Sequence, residues 1–237
     1  MFYKLCRTSS LFDVENELNT KFRYPKLYEQ KSIINGKYES NLPVITSEDP
    51  NSINYAIWGL LPPSYDGDWE DFQEITNTLN TYITYNQLNE EIYADSFDKR
   101  RCLLVVNGFF TAKLHKGKLY PHHIHLKAHK PFCIAGVYNK IEDGFLTCSL
   151  LVTNSELGSK YLPNMGIQKP LIFKKKDFST WLNTSYNFEQ LKPLIANHDR
   201  YEFISHPIEH DFYKNSKVFK QITESHHYKS VMRIAHQ

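Results

Sequence analysis

The densest run of chemistry-bearing side chains in this 237-residue chain is Pro121-His122-His123-Ile124-His125. On a strand, side chains alternate between faces, so His123 and His125 would share one face and could offer two imidazoles to a metal. A zinc site needs at least a third ligand, and the sequence specifies none. The expectation is no metal, with these histidines exposed or hydrogen-bonded on a strand. The four cysteines, Cys6, Cys102, Cys133 and Cys148, show no CxxC spacing. A chain of this length does not need disulfides, so free buried thiols are expected. There is no phosphate loop, Rossmann glycine pattern, HExxH or GxSxG, which leaves the ordinary nucleotide, metalloprotease and serine-hydrolase chemistries unsupported and no cofactor implied.

Charge is the second chemical signal. The net charge is +2, from 28 Lys plus Arg against 26 Asp plus Glu, but the signs are segregated along the sequence. Tyr38 to Asp98 holds 12 carboxylates and no Lys or Arg, whereas Lys99 to Ile141 holds 9 Lys or Arg, several histidines and no carboxylate. Either the surface is dipolar, with one side suited to a polyanion, or the two segments interleave in space and neutralise each other.

Several elements must position these groups. Hydrophobic residues make up 41% of the chain and charged residues 23%, which is a folded composition. No apolar run approaches the ~18 residues of a membrane span, and the first residues lack a signal-peptide core, so a cytoplasmic protein without a membrane partner is expected. Ser10 and Asp13 announce a helix lined by Leu11, Val14, Leu18 and Phe22 and ended by Pro25; a second is expected over 68–79. Strands are expected over 42–45, 53–61, 102–110, 120–126, 132–138 and 145–153, from their Val, Ile, Phe and Tyr content. Turns at His115-Lys116-Gly117-Lys118 and Glu142-Asp143-Gly144 favour antiparallel pairing. The expected class is α+β, in one domain over 1–237.

One set of segments occurs in a telling order. Leu42-Pro43-Val44-Ile45 is followed by Trp58-Gly59-Leu60-Leu61-Pro62, Thr78-Leu79-Asn80, Arg100-Arg101-Cys102-Leu103 and Asn107-Gly108-Phe109-Phe110. Phe132 to Tyr138, Pro170-Leu171-Ile172, Trp181-Leu182 and Phe203 to Ile208 complete the series. The series resembles the abasic-site-processing family, also called SOS response-associated peptidases (SRAP), over about residues 1–210, with 211–237 as a tail. The resemblance implies a strongly bent, barrel-like antiparallel β-structure flanked by helices, a groove for single-stranded DNA, and a role in the DNA damage response. It also implies an N-terminal cysteine whose amine and thiol trap the abasic-site aldehyde, aided by an Asn, a Glu and a His.

Carried over by position, most of that machinery is replaced. Phe2 stands at the nucleophile, Thr111 at the Glu and Pro163 at the His, and only Asn80 is kept. Cys6 has no free α-amine and does not substitute. By the same comparison the DNA-binding candidates are Lys4, Trp58, Gly59, Leu60, Asn80 and Gln168. We therefore expect a member with a degenerate active site that binds single-stranded or abasic DNA without bonding to it, and no catalytic residue. The alternatives are a paralogue that binds a protein or other non-DNA partner, and a residual Schiff base formed by the Met1 amine.

Overall fold

A computed structural model describes residues 3–83, 91–154, 168–197, 201–213 and 225. The expected first helix forms as α1 (Leu11–Leu18), with a reciprocal cap in which the Ser10 side chain accepts from the Asp13 amide and Asp13 accepts from Ser10. It stops earlier than expected. Asn19 takes a left-handed conformation at φ 54°, which ends the helix six residues before Pro25, and Phe22 joins a short strand instead.

The strands build two sheets. One has five strands in the order β14 (Phe203–Pro207), β9 (Lys118–Leu126), β8 (Gly108–His115), β1 (Lys4–Arg7) and β3 (Lys31–Asn35), all antiparallel. The other has nine: β2 (Lys21–Phe22), β4 (Asn41–Thr46), β5 (Ser52–Trp58), β6 (Asn80–Tyr82), β7 (Arg101–Val106), β10 (Phe132–Lys140), β11 (Leu146–Asn154), β12 (Gln168–Pro170) and β13 (Ile172–Phe173). Its central pairs are antiparallel, while β2 lies parallel to β5, and β5 and β6 lie parallel to β11. The result is the mixed, curled antiparallel architecture that the strand content and turns predict.

The 102–110 segment is two strands rather than one. Asn107 separates them: its Oδ1 accepts from the Thr8 and Ser9 amides at 2.9 and 3.1 Å, and its Nδ2 donates to Ser9 Oγ and His129 O. A side chain bonded to two other parts of the chain fixes the point where the backbone leaves the nine-stranded sheet and enters the five-stranded one. The Asn107-Gly108 pair inside the otherwise apolar run is the sequence mark of that break.

Two cores follow from strand alternation. Leu5, Phe109, Ile124 and Leu126 from the smaller sheet meet Leu42, Val44, Trp58, Leu104, Ile134 and Leu150 from the larger one. The opposite face of the larger sheet, including Leu103, Val105, Ala135, Val137 and Leu151, is covered by α1 and by α3 (Glu91–Lys99), α4 (Phe178–Leu182) and α5 (Phe188–Ala196). Each fully buried aliphatic or Phe side chain there contributes roughly 1.5–3 kcal/mol. The helix expected at 68–79 is α2 (Trp69–Ile75). On the outer face of the smaller sheet, Cys6, Phe110, Ile208 and Phe212 form a third cluster, so packed structure reaches past residue 210 into the segment expected as a tail. All four cysteines are free and buried. No described helix is long and apolar enough to cross a membrane.

Candidate functional site

Trp58, Gly59 and Leu60, the residues expected to face DNA, serve the chain itself. The Trp58 ring is fully buried, and its Nε1 donates to Leu79 O at 2.9 Å. Gly59 N–H donates to Cys148 O at 2.9 Å, and Leu60 O accepts from Thr78 Oγ1 at 2.7 Å. Gln73 completes the clamp by accepting from Thr78 N. The Trp-Gly-Leu and Thr-Leu-Asn segments are therefore one hydrogen-bonded unit that sets Asn80 at the start of β6, beside Leu150. The Trp58 ring points into the core between the sheets.

Gly59 is required sterically. Its φ is +119°, and a Cβ there would lie 2.5 Å from Trp69 Nε1 and 2.8 Å from Gln73 Nε2. Gly59→Ala is expected to cost about 2–3 kcal/mol, read as a lower urea midpoint at unchanged slope.

Asn80 and Thr111 come to the inner surfaces of the two facing sheets. Asn80 is buried and pairs in register with Leu150, a residue of the inter-sheet core. Thr111, on β8, is half-buried and sits two residues from Phe109 on the same face of its strand. Directly across from Thr111 is His122. Its Nδ1 lies 3.0 Å from Ser205 Oγ, and its buried Nε2 has no hydrogen-bond partner among the described residues. Burial first, then Lys113 and His206, lower its pKa to about 4, so the ring is neutral at neutral pH. His122 is the inner-surface imidazole that sequence reasoning passed over; the alternation that pairs His123 with His125 assigns it to the other face. Neutral imidazole, hydroxyls and an amide can orient a polar ligand by hydrogen bonds.

The remaining candidates divide. Lys4 is buried: its Nζ donates to Phe212 O at 3.1 Å and lies 4.5 Å from the Phe212 ring centre. Desolvation and then Lys37 lower its pKa. This cation ties β1 to the turn at 210–213. Gln168 is half-buried on β12 opposite Asn154, whose Oδ1 accepts from Tyr82 at 2.6 Å. Because β11 is flanked by β6 and β12, Asn80, Tyr82 and Gln168 gather at one end of the larger sheet. Phe2 and Pro163 lie outside the described residues.

The basic segment is neutralised in part, by Asp95 at the end of the acidic segment and by Glu17 and Glu202 from outside it. Lys99 and Arg100 pair with Asp95 at 2.9 and 3.3 Å, Lys130 with Glu17 at 2.7 Å and Lys127 with Glu202 at 3.8 Å. Arg101 is buried. Lys113, Lys116 and Lys118, on the β8–β9 hairpin, form no ion pair among the described residues. A separate groove of about 1180 Å³ is lined by Arg7, Arg23 and Lys31 but also by Glu29, Glu48 and Asp49, and by none of the six candidates. Its mixed charge suits a polyanion poorly.

The family model described as SOS response associated peptidase (SRAP) matches residues 5–214. The abasic site processing protein YMR114C of Saccharomyces cerevisiae is 21% identical over 178 residues, which cover 70% of this chain and 46% of that protein. The chain thus spans about half the length of that curated relative. A solved protein of Bacteroides thetaiotaomicron superposes with a TM-score of 0.78 at 20% identity, over 95% of this chain and 100% of its own. A protein of Bordetella bronchiseptica gives 0.64 at 13% identity, covering 87% of this chain and 99% of its own. A phage-related protein of the same organism gives 0.60 at 13% identity, with 87% and 94% covered. These likenesses establish the shared fold, and with the family model spanning most of its residues the chain belongs to the SRAP family.

Proposed function

We propose that this protein acts in the DNA damage response by binding single-stranded or abasic DNA non-covalently. The observation that carries the reading is the β8–β9 hairpin. It holds Thr111 and His122 on its inner face, and near its tip it carries Lys113, Lys116 and Lys118 with no carboxylate in the hairpin sequence. Cations gain most from phosphate when no neighbouring acid already neutralises them. The family relation, and the relative named for abasic-site processing, supply the substrate class. Non-covalent binding follows from Phe2, Thr111 and Pro163, which stand at the family positions for Cys, Glu and His and offer no amine-thiol pair, carboxylate or imidazole.

A second reading is a protein partner, and Leu114 and Leu119 favour it. They face each other across the hairpin and are 42% and 47% exposed. Titrating labelled intact and abasic single strands at low and moderate salt separates the two. DNA binding gives a salt-sensitive anisotropy rise, larger for abasic DNA, and no trapped adduct after borohydride. A flat titration at low salt removes the DNA reading and leaves the partner.

A further inference from the structure

We propose that His123, His125 and His206 form a binding site for a divalent transition-metal ion of the zinc type, on the outer face of the five-stranded sheet. The site is built by strand pairing. β9 and β14 run antiparallel with His123 opposite His206 and His125 opposite Ile204, so alternation brings all three imidazoles to one face. Their ligand atoms lie within 4.8 Å of one another. The third ligand missing from the 121–125 run thus comes from a strand 81 residues further along.

The geometry favours a cation over a simple hydrogen-bond chain. His125 Nε2 and His206 Nδ1 are 3.3 Å apart. With zinc–nitrogen bonds of about 2.0–2.1 Å, the edge of a tetrahedron is about 3.3–3.4 Å. His125 Nδ1 lies 2.8 Å from Leu126 O and so carries the proton it donates, which leaves the lone pair on Nε2, the atom facing His206. A backbone carbonyl holding the far nitrogen is the usual outer support of a metal-bound histidine. The His123 ring is 3% exposed and stacks on Phe110 at 4.8 Å. Its Nε2 is 3.3 Å from Cys6 Sγ, while its buried Nδ1 has no hydrogen-bond partner among the described residues. When Nε2–H donates to the sulfur, Nδ1 is a buried lone pair with nothing else to satisfy it.

The donor set points to the metal class. Three neutral imidazoles suit zinc, copper or nickel and are poor ligands for the oxygen-preferring calcium or magnesium. His206 is only half-buried, which gives an ion a way in from solvent. A fourth position remains for water. Cys6, whose Sγ is already bonded to His123, supports the ligand rather than replacing that water. The ion would join β9 to β14, which is the edge strand of its sheet, and so stabilise the folded state. This site lies on the opposite face of β9 from His122 and is independent of DNA binding.

The test uses the full chain, stripped with chelator and titrated with zinc alone against a chromophoric competitor, and separately with cobalt(II). The expected results are one zinc per chain at micromolar affinity or tighter, a zinc-induced rise in melting temperature, and tetrahedral cobalt absorption without a strong sulfur charge-transfer band. His206→Ala, at the half-buried position, should weaken zinc binding more than about 100-fold and abolish the melting shift while keeping the native circular dichroism spectrum. His115→Ala, outside the cluster, should change neither. Binding that is substoichiometric in the native chain, or equal in the native chain and His206→Ala, overturns the proposal. If His206→Ala does not fold, His125→Gln replaces it, and the native cobalt spectrum decides alone if neither variant folds: octahedral or absent absorption is then the contradicting result.

Discussion

Replacing Arg101 with Met should destabilise the protein by about 3–5 kcal/mol, enough to bring many domains close to unfolding. Arg101 is fully buried at the start of β7. Its Nε donates to Trp181 O at 2.7 Å and its Nη1 to Phe97 O at 2.8 Å, while Nη2 bonds Asn183 O. Phe97 is near the end of α3, and Trp181 and Asn183 are at the end of α4. One guanidinium therefore satisfies carbonyls at the C-termini of two helices, where backbone acceptors lack intrahelical partners and the helix dipole favours a cation. Burial lowers its pKa only to about 10, so it stays charged at neutral pH. Met keeps the stem volume but leaves the buried Trp181 and Phe97 carbonyls, and the more accessible Asn183 carbonyl, without their donor. Lys should recover only part of the loss, because an ammonium cannot reproduce the planar fork. Urea unfolding measures both; a loss below about 1 kcal/mol for Arg101→Met would show that water replaces the guanidinium readily.

Trp58→Ala should cost about 3–5 kcal/mol, and Trp58→Phe about 1–2 kcal/mol. The first substitution opens a cavity between the sheets. The second keeps most of the packing but removes the donor to Leu79 O, the bond that couples the Trp-Gly-Leu turn to Asn80. Trp58→Phe is accordingly the more informative variant for function. If Asn80 orients the bound sugar, loosening its support should weaken abasic DNA more than intact DNA, with unfolding midpoints recorded alongside. Equal loss for both strands at preserved stability would separate the Trp58 clamp from recognition.

The fold was legible where local pattern decides structure. Alternating apolar residues marked the long strands, Ser10 and Asp13 marked a helix start, and short polar turns marked the hairpins. The ordered motif series was enough to indicate the family. What escaped depends on contacts distant in sequence. Asn107 divides an apolar run through bonds to Thr8, Ser9 and His129, none of them a neighbour in the chain. His206 becomes a third imidazole only because β14 pairs with β9. Lys4 has the residue type of a phosphate ligand, yet the turn after β14 encloses it. Charge segregation along the sequence was likewise partly undone by Asp95, Glu17 and Glu202, which reach back to the basic segment. The hairpin lysines form no ion pair among the described residues, with Lys116 and Lys118 exposed at the turn and Lys113 half-buried on β8.

The most direct test of DNA binding through that hairpin is fluorescence anisotropy of abasic single-stranded DNA with the native chain and a Lys113→Ala, Lys116→Ala, Lys118→Ala variant, at several salt concentrations. Each lysine removed from a phosphate should lower the slope of log affinity against log salt by about 0.7 for a single strand. The expected result is a variant that folds normally, binds at least about tenfold more weakly at low salt, and has a slope reduced by about 2. Equal affinity and an equal slope for the two proteins would contradict the account, since the hairpin cations would then contribute nothing to binding.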